Sequence, residues 1–406
     1  MSKLKEIFQK GKIKEYFQNK FGDVEKELTT EQKEEQRQMI YELIDKEFKS
    51  YVDDYYFAKN NNVNIDERKK EVEDKILKLI EEDESVLTIQ DIDGCNIGMR
   101  ACDYEFERIA FRALENKEAA LQQNIQGFNI GMYACYDDME EVVLKALDNY
   151  EASEQTEKLR NYTIGMIAVE KGLERAALKA LEHPNIAQMK DKSGSNIGMI
   201  AVFNDLDSVA LKALDNEELA TAQDRDGYNI GMVAVTRSQN EEIVLKALDN
   251  QKASLQQNKW GTNLGMLAAM YKMENAAIKA LDNEEASLQI NNEGCNIGML
   301  SARSGLEKAT LKGLDNYEAS LQLNKDNYNM GMLAAFYNLE KATLKALDNP
   351  VASLQQDKDG LNIGMMARIN GLKEAYEKAK ELYDLDYRRL YLDEDDDMDS
   401  EMESEN

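Results

Sequence analysis

Histidine, proline and tryptophan are scarce in this chain of 406 residues, which contains one histidine, two prolines and one tryptophan. His183 is the single histidine and stands directly before Pro184, so neither a histidine-based catalytic triad nor a histidine-rich metal centre can be built. Carboxylates are plentiful but recur periodically, so no pair stands out as an acid and a base. We therefore expect a protein that is not an enzyme and that uses no cofactor or metal ion.

Basic residues are also in deficit, because 50 lysines and arginines face 78 aspartates and glutamates, and the net charge is -28. Such a chain repels nucleic acid and anionic lipid, whose binding depends largely on lysine and arginine. The expected partner is therefore a protein, possibly a basic one, with no direct nucleic-acid binding. The oligomeric state stays open.

Long hydrophobic runs are missing, since no segment approaches the ~20 apolar residues of a membrane-spanning helix. The first residues, MSKLKEIFQKGKIKEYF, lack the uninterrupted apolar run of a signal peptide. We expect a soluble cytoplasmic protein with no membrane span, and export by a non-classical route remains open.

Only four cysteines occur, at Cys95, Cys102, Cys135 and Cys295, and their spacing does not match a metal site. Cys102 and Cys135 take the place that alanine takes in later copies of the repeat described below. This equivalence indicates reduced thiols that fill a core.

What the chain does contain is a repeated tetrapeptide, Asn-Ile-Gly-Met, with close variants. Its glycines lie 33 residues apart, or 34 at two steps, and a fixed period of this size is the signature of a repeat solenoid. The nine glycines are Gly98, Gly131, Gly165, Gly198, Gly231, Gly265, Gly298, Gly331 and Gly364.

Each copy predicts two helices. Asn296, for example, is a good N-cap for a short first helix, and a break at Arg303–Gly305 precedes a second helix that ends at Asp315–Asn316. A long hairpin-like loop then leads to the next copy. Phosphate binding at these helix N-termini is the alternative role of the glycine. The negative charge of the chain favours instead a role in close packing.

The turn glycine, the Asn-Ile-Gly-Met motif and the period of 33 resemble the ankyrin repeat, most fully at Asp91–Ala101 and Asp357–Ala367. The resemblance implies an all-α fold, an ankyrin-like helix-turn-helix solenoid of about nine repeats with a helical N-terminal cap. The tetratricopeptide repeat is the competing family, but its longer helices leave no room for the loop. Methionine replaces the histidine of the ankyrin motif, so we expect a more apolar seam between repeats.

Three regions follow from this pattern. Residues 1–60 form a helical N-terminal region, whose first 22 lysine-rich residues favour a cap over a membrane-surface helix. Residues 61–383 form the ankyrin-like solenoid with its caps, and residues 384–406 form an acidic tail that we expect to be disordered.

The second helices carry a recurring lysine, with an aspartate three residues later in six copies. At that spacing the two charges can pair within one helix. We therefore expect a solvated, self-neutralised face and no basic stripe for acidic polymers.

In ankyrin proteins the partner meets the residue before the cap and the residues at the end of the first helix. Aromatic residues and methionine at these positions are candidate hot spots. Trp260, just before the turn glycine Gly261, joins them. The expected function is therefore non-enzymatic protein binding through the concave face of the solenoid. The candidate partner-binding residues are Phe128, Tyr136, Phe203, Tyr228, Trp260, Met270, Tyr271, Tyr328, Phe336 and Tyr337.

Two other functions remain open. A polyanionic decoy, which would inhibit a basic nucleic-acid-binding protein, is favoured by the net charge and by the acidic tail. A scaffold for self-assembly is the third. Several of the aromatic rings could also merely cover neighbouring repeats.

Overall fold

The computed structural model describes residues 29–61 and 63–382. In this part of the chain there are 28 α-helices, one 3-10 helix and no strand. The internal contacts divide the protein into two compact units, Met1–Ile186 and Ala187–Asn406. The first 28 residues and the predicted acidic tail lie outside the described residues.

The first unit begins with a long helix, α1 (Thr30–Asn61), and a second helix, α2 (Asp66–Glu82), followed by a 3-10 helix at Glu84–Thr88. The apolar residues of α1 recur every three or four positions, which places them on one face of the helix. The residues of that face are buried, as the spacing predicts: Ile40, Ile44, Phe48 and Tyr51.

Each of the nine sequence repeats begins with a short helix that starts directly after its asparagine, or after Thr163 in the third repeat. We call these the first helices and number the repeats by them. Repeats 1–3 lie in the first unit and have first helices at Ile97–Asp103, Ile130–Tyr136 and Ile164–Glu170. Repeats 4–9 lie in the second unit, at Ile197–Phe203, Ile230–Thr236, Leu264–Met270, Ile297–Arg303, Met330–Phe336 and Ile363–Ile369.

A second helix follows in each repeat and packs against the first helix. The second helices of the first unit are Glu107–Glu115, Glu140–Ala146 and Glu174–Leu181. Those of the second unit are Asp207–Ala213, Glu241–Leu248, Glu274–Ala280, Glu307–Gly313, Glu340–Ala346 and Lys373–Leu382. The prediction of an all-helical chain built from successive packed helix pairs is therefore confirmed.

The segment that the sequence predicts as a loop contains a third, very short helix. These third helices are Lys117–Leu121, Tyr150–Ser153, Pro184–Gln188, Glu217–Thr221, Gln251–Leu255, Glu284–Leu288, Tyr317–Leu321 and Pro350–Leu354. The asparagine predicted to end the second helix caps this third helix: the Asn316 side chain accepts a hydrogen bond from the Ala319 amide at 3.0 Å. A helix of five residues is too short to show a helical period in the sequence.

The glycine of the tetrapeptide lies where two repeats touch. A Cβ atom added at Gly98 would lie 2.5 Å from Ile130 Cδ1 of the next repeat and 2.6 Å from Ala113 Cβ of its own second helix. No side chain fits at such distances. The close-packing role of the glycine is confirmed, and its amide does not face an open anion site because Gly98 is buried.

The seam between repeats is not simply apolar, contrary to the expectation drawn from the missing histidine. The Asn329 side chain caps its own helix and donates to the Ala352 carbonyl at 2.8 Å and to Gln355 Oε1 at 2.8 Å. Gln355 in turn donates to the Leu321 carbonyl of the preceding repeat at 2.9 Å. The half-buried glutamine, which the buried asparagine holds in place, therefore supplies a hydrogen bond between neighbouring repeats.

The predicted lysine–aspartate pairs form, but mostly between repeats. Lys246 Nζ lies 2.8 Å from Asp215 of the preceding repeat, whereas Lys212 lies 3.6 Å from Asp215 within one repeat. The same pairing between repeats recurs at Lys179–Asp148, Lys279–Asp249, Lys312–Asp282, Lys345–Asp315 and Lys378–Asp348. The stacking of second helices brings lysines and aspartates of successive repeats together. The resulting row of ion pairs neutralises this face of the repeats.

Candidate partner-binding surface

The predicted partner-binding side chains come from two places in the repeat, the hairpin before the capping residue and the end of the first helix. Seven of the ten are exposed by between 38% and 50%: Tyr136, Phe203, Trp260, Met270, Tyr271, Phe336 and Tyr337. Phe128, Tyr228 and Tyr328 are half-buried.

The hairpin holds its aromatic residue through a carboxylate or amide side chain. Asp224 Oδ1 accepts hydrogen bonds from the amides of Asp226 and Tyr228, both at 2.9 Å, and the Asp224 amide donates to the Tyr228 carbonyl at 2.9 Å. Gly227 completes the turn with a φ of 83°, a conformation that glycine adopts at little cost. This tight turn fixes the backbone from which Tyr228 projects.

In the second unit, Tyr228, Trp260, Met270 and Tyr271 line one groove of about 680 Å³. The rings of Tyr228 and Trp260 meet edge to face, with 5.9 Å between their centroids. Polar side chains complete the lining, among them Thr236, Asn258, Thr262, Glu293 and Arg303. An open groove with an aromatic floor and a few fixed polar groups is the usual form of a binding site.

Two ion pairs lie beside this groove, and Lys272 also lines it. Lys259 Nζ lies 2.6 Å from Asp226 and 4.4 Å from the centre of the Trp260 ring. Arg303 lies 2.9 Å from Glu293. Burial raises the pKa of the Tyr228 phenol, so its hydroxyl stays neutral and can donate a hydrogen bond. The lining of the groove is therefore not acidic, although the whole chain is.

A second aromatic cluster in the same unit joins Tyr328, Phe336 and Tyr337. The Phe336 ring lies 5.1 Å from Tyr337 and 6.4 Å from Tyr328. Burial raises the pKa of Tyr328, and a hydrogen bond with Asp357 acts in the same direction. Phe336 and Tyr337 are exposed by 50% and 38%, so this cluster also presents aromatic rings at the surface.

The remaining three predicted residues are held by partners within the chain. In the first unit, the Tyr136 ring meets the Phe128 ring edge to face, with 5.6 Å between their centroids. The Tyr136 hydroxyl accepts a hydrogen bond from Arg160 at 2.8 Å, and Lys171 Nζ lies 4.4 Å from the centre of the Tyr136 ring. Phe203, in the second unit, lies 5.4 Å from the Arg237 guanidinium. These contacts fit the alternative in which a ring covers its own neighbours.

Sequence reasoning missed the polar half of the groove, including Asn258, Glu293 and Arg303. Lys259 and Asp226 could have been paired from the sequence, because they lie 33 residues apart in adjacent hairpins. The pairing of Arg303 with Glu293 had no such signal, since it joins a helix end to a hairpin within one repeat.

The described residues, 29–61 and 63–382, contain no group of three or more histidine, cysteine, aspartate or glutamate side chains that could hold a metal ion. Within the same ranges, every helix is too short or too polar to cross a membrane. All four cysteines are buried and unpaired. No protein-family model matches the sequence, and no curated protein matches it significantly.

Proposed function

We propose that this chain is an ankyrin-like repeat protein whose second unit binds a partner protein through the groove of Tyr228, Trp260, Met270 and Tyr271. The observation that carries the proposal is the convergence of these four exposed or half-buried side chains in one groove of about 680 Å³. Large aromatic side chains supply most of the energy of protein interfaces, and repeats stacked on their neighbours offer extended binding surfaces.

The cluster of Tyr328, Phe336 and Tyr337 is included in the proposed surface. Its ring contacts and the exposure of Phe336 and Tyr337 support an interface with several anchors. Tyr136, Phe128 and Phe203 are left outside the proposal because none of them lines this groove.

The test is affinity capture from native lysate with the full chain as bait, read by quantitative mass spectrometry. The variant Tyr228→Ala/Trp260→Ala/Tyr271→Ala should lose at least about 90% of the captured partner, because each anchor contributes ~2 kcal/mol or more. Tyr317→Ala is the matched control, since this tyrosine is 56% exposed but lies on a third helix away from the groove. Capture by the triple variant equal to that of the unmodified chain would overturn the proposal.

The polyanionic decoy is the alternative, favoured by the net charge of -28. In that case raising the salt from about 0.1 to 0.5 M should release the partner, because screening shortens the range of charge attraction. Deletion of residues 393–406 should weaken the complex as well. Retention of the partner at high salt supports the aromatic groove.

A further inference from the structure

A small pocket in the first unit lies between α1 and the turn after the first helix of repeat 1. It encloses about 130 Å³ and is lined by Tyr51, Val52, Tyr55, Tyr56, Asp103, Tyr104 and Glu105. None of these residues belongs to the proposed partner surface. The pocket therefore has to be explained separately.

Four tyrosine rings form the walls of this pocket, and two of them are fixed by the core. Tyr51 is only 4% exposed, and its ring lies 4.7 Å from that of Phe106. Tyr104 packs on Phe48 at 5.5 Å. The Tyr55 ring lies 6.2 Å from the Tyr51 ring and also contacts the outer ring, that of Tyr56. The pocket thus has a rigid inner wall and an exposed aromatic rim.

The two inner tyrosines, Tyr51 and Tyr104, present uncharged aromatic faces to the pocket. Burial raises the pKa of Tyr51 to about 12, and burial also raises the pKa of Tyr104. One face already attracts a cation from the chain itself, because Lys59 Nζ lies 5.8 Å from the centre of the Tyr55 ring.

Two carboxylates, Asp103 and Glu105, complete the lining. Asp103 lies 3.2 Å from Arg100, and Glu105 lies 3.4 Å from Lys69. The Glu105 side chain nevertheless remains 65% exposed, so a cation in the pocket can still approach its carboxylate. The pKa of the neighbouring Asp137 is raised to about 6 by burial and then by the charges of Asp103, Glu105 and Asp138, while Lys171 opposes the shift.

We propose that this pocket binds an alkylammonium cation, the head of a partner's lysine side chain, either free or N-methylated. The faces of aromatic rings attract cations electrostatically, and tyrosine walls with a nearby carboxylate are suited to ammonium groups. The volume of about 130 Å³ equals roughly four water molecules at ~30 Å³ each. A trimethylammonium group has four heavy atoms, the same number as the oxygen atoms of those four water molecules.

Binding is measured by isothermal titration calorimetry on the full chain with three small probes. These are N-acetyl-lysine methylamide, its Nε-trimethyl derivative and the neutral N-acetyl-norleucine methylamide. At least one charged probe should bind about tenfold more tightly than the neutral probe. The tighter of the two charged probes identifies the methylation state. Equal binding by norleucine, or no saturable binding by any probe, would overturn the proposal.

Two variants locate the binding site. Tyr56→Ala removes a ring that is 60% exposed and should weaken the charged probe about fivefold. Glu105→Gln keeps the shape of the side chain and should weaken the charged probe but not norleucine. Phe57→Ala is the matched control, because Phe57 is 66% exposed on the same helix and does not line the pocket.

Thermal unfolding of each variant checks the fold, and Glu105→Gln carries the test if Tyr56→Ala is unstable. Unchanged binding by a folded Tyr56→Ala together with Glu105→Gln would show that the pocket is not the site. Because these substitutions leave the groove of the second unit intact, loss of probe binding with retained partner capture separates this proposal from the proposed function.

Discussion

At the scale of single residues, the contact between repeats depends on three side chains of complementary size. In most repeats a glycine of the tetrapeptide faces an alanine of its second helix and an isoleucine of the next repeat. Repeat 7 has a different combination, in which Gly298 faces Met330 of the next repeat and Gly313 of its own second helix. The longer, unbranched methionine occupies the space that the alanine methyl fills elsewhere.

This compensation can be measured by a double-mutant cycle. Gly313→Ala alone should lower the free energy of unfolding by about 1 kcal/mol, because its Cβ would lie 3.0 Å from Gly298 Cα and 3.1 Å from Met330 Sδ and crowd the site. In the Met330→Ile background, the same change should raise stability by up to about 1 kcal/mol, since alanine favours helix more than glycine does. Urea denaturation of the unmodified chain, the two single variants and the double variant gives the coupling free energy between the two positions. An identical effect of Gly313→Ala in both backgrounds would contradict the size argument.

Residue-scale reasoning from the sequence identified the close-packed glycine and the capping asparagine correctly, because the cap acts within one turn of helix and the glycine recurs at the same place in each repeat. It did not foresee the adjustment in repeat 3, where Glu157 replaces the usual aspartate or asparagine of the hairpin. Glu157 is 1% exposed and accepts from the amides of Leu159 and Arg160, both at 2.6 Å. The longer side chain spans the extra residue of this loop.

At the scale of elements, the third helix is the feature that distinguishes this repeat from a pair of helices and a loop. Its capping asparagine has two roles. Asn316 accepts from the Ala319 amide at 3.0 Å and donates to Ser287 Oγ, in the preceding third helix, at 2.8 Å. Asn283 and Asn349 make the same bond to Ser254 and Ser320. These short helices are therefore tied to one another and do not move as free loops.

The two roles of Asn316 can be separated by substitution. Asn316→Asp keeps the cap acceptor but loses the donor to Ser287, and should cost about 1 kcal/mol. Asn316→Ala loses both interactions and should cost about 2 kcal/mol. Chemical denaturation measures the loss in free energy of unfolding for each variant. Hydrogen exchange at residues 317–321 reports the stability of the third helix itself. If aspartate costs as much as alanine, the bond between third helices dominates and the cap contributes little.

At the scale of the whole molecule, the net charge of -28 and the distribution of pKa values govern the response to pH. The pKa of Asp137 is raised to about 6, chiefly by burial. A raised carboxyl pKa destabilises the folded state above that pKa, so stability rises as the pH falls from 7 through 6. The pKa of Asp215 is lowered, first by its hydrogen bond to Lys246. That carboxylate contributes stability above its unfolded pKa and loses it as the pH falls through the lowered folded pKa.

The free energy of unfolding should therefore be greater at pH 5 than at pH 7, by about 1 kcal/mol after allowance for solvent screening. It should fall again below about pH 4, where the paired carboxylates are protonated. Urea titrations at pH 7, 5 and 3 test this order. The Asp137→Asn chain is the control and should show a smaller gain between pH 7 and 5. A steady loss of stability from pH 7 to 5 would contradict the assignment.

The sequence alone determined the period, the helical composition, the capping asparagines and the glycine contacts, because these depend on neighbours within one repeat or on the same position one repeat away. It also selected the positions from which the aromatic residues of the groove project. The tertiary structure decided which of them meet: Tyr228, Trp260, Met270 and Tyr271 share a groove, whereas Tyr136 and Phe203 do not line it. Stacking sets the distances between side chains of different repeats. For that reason the row of ion pairs, the asparagine and glutamine bonds and the tyrosine pocket were visible only in three dimensions.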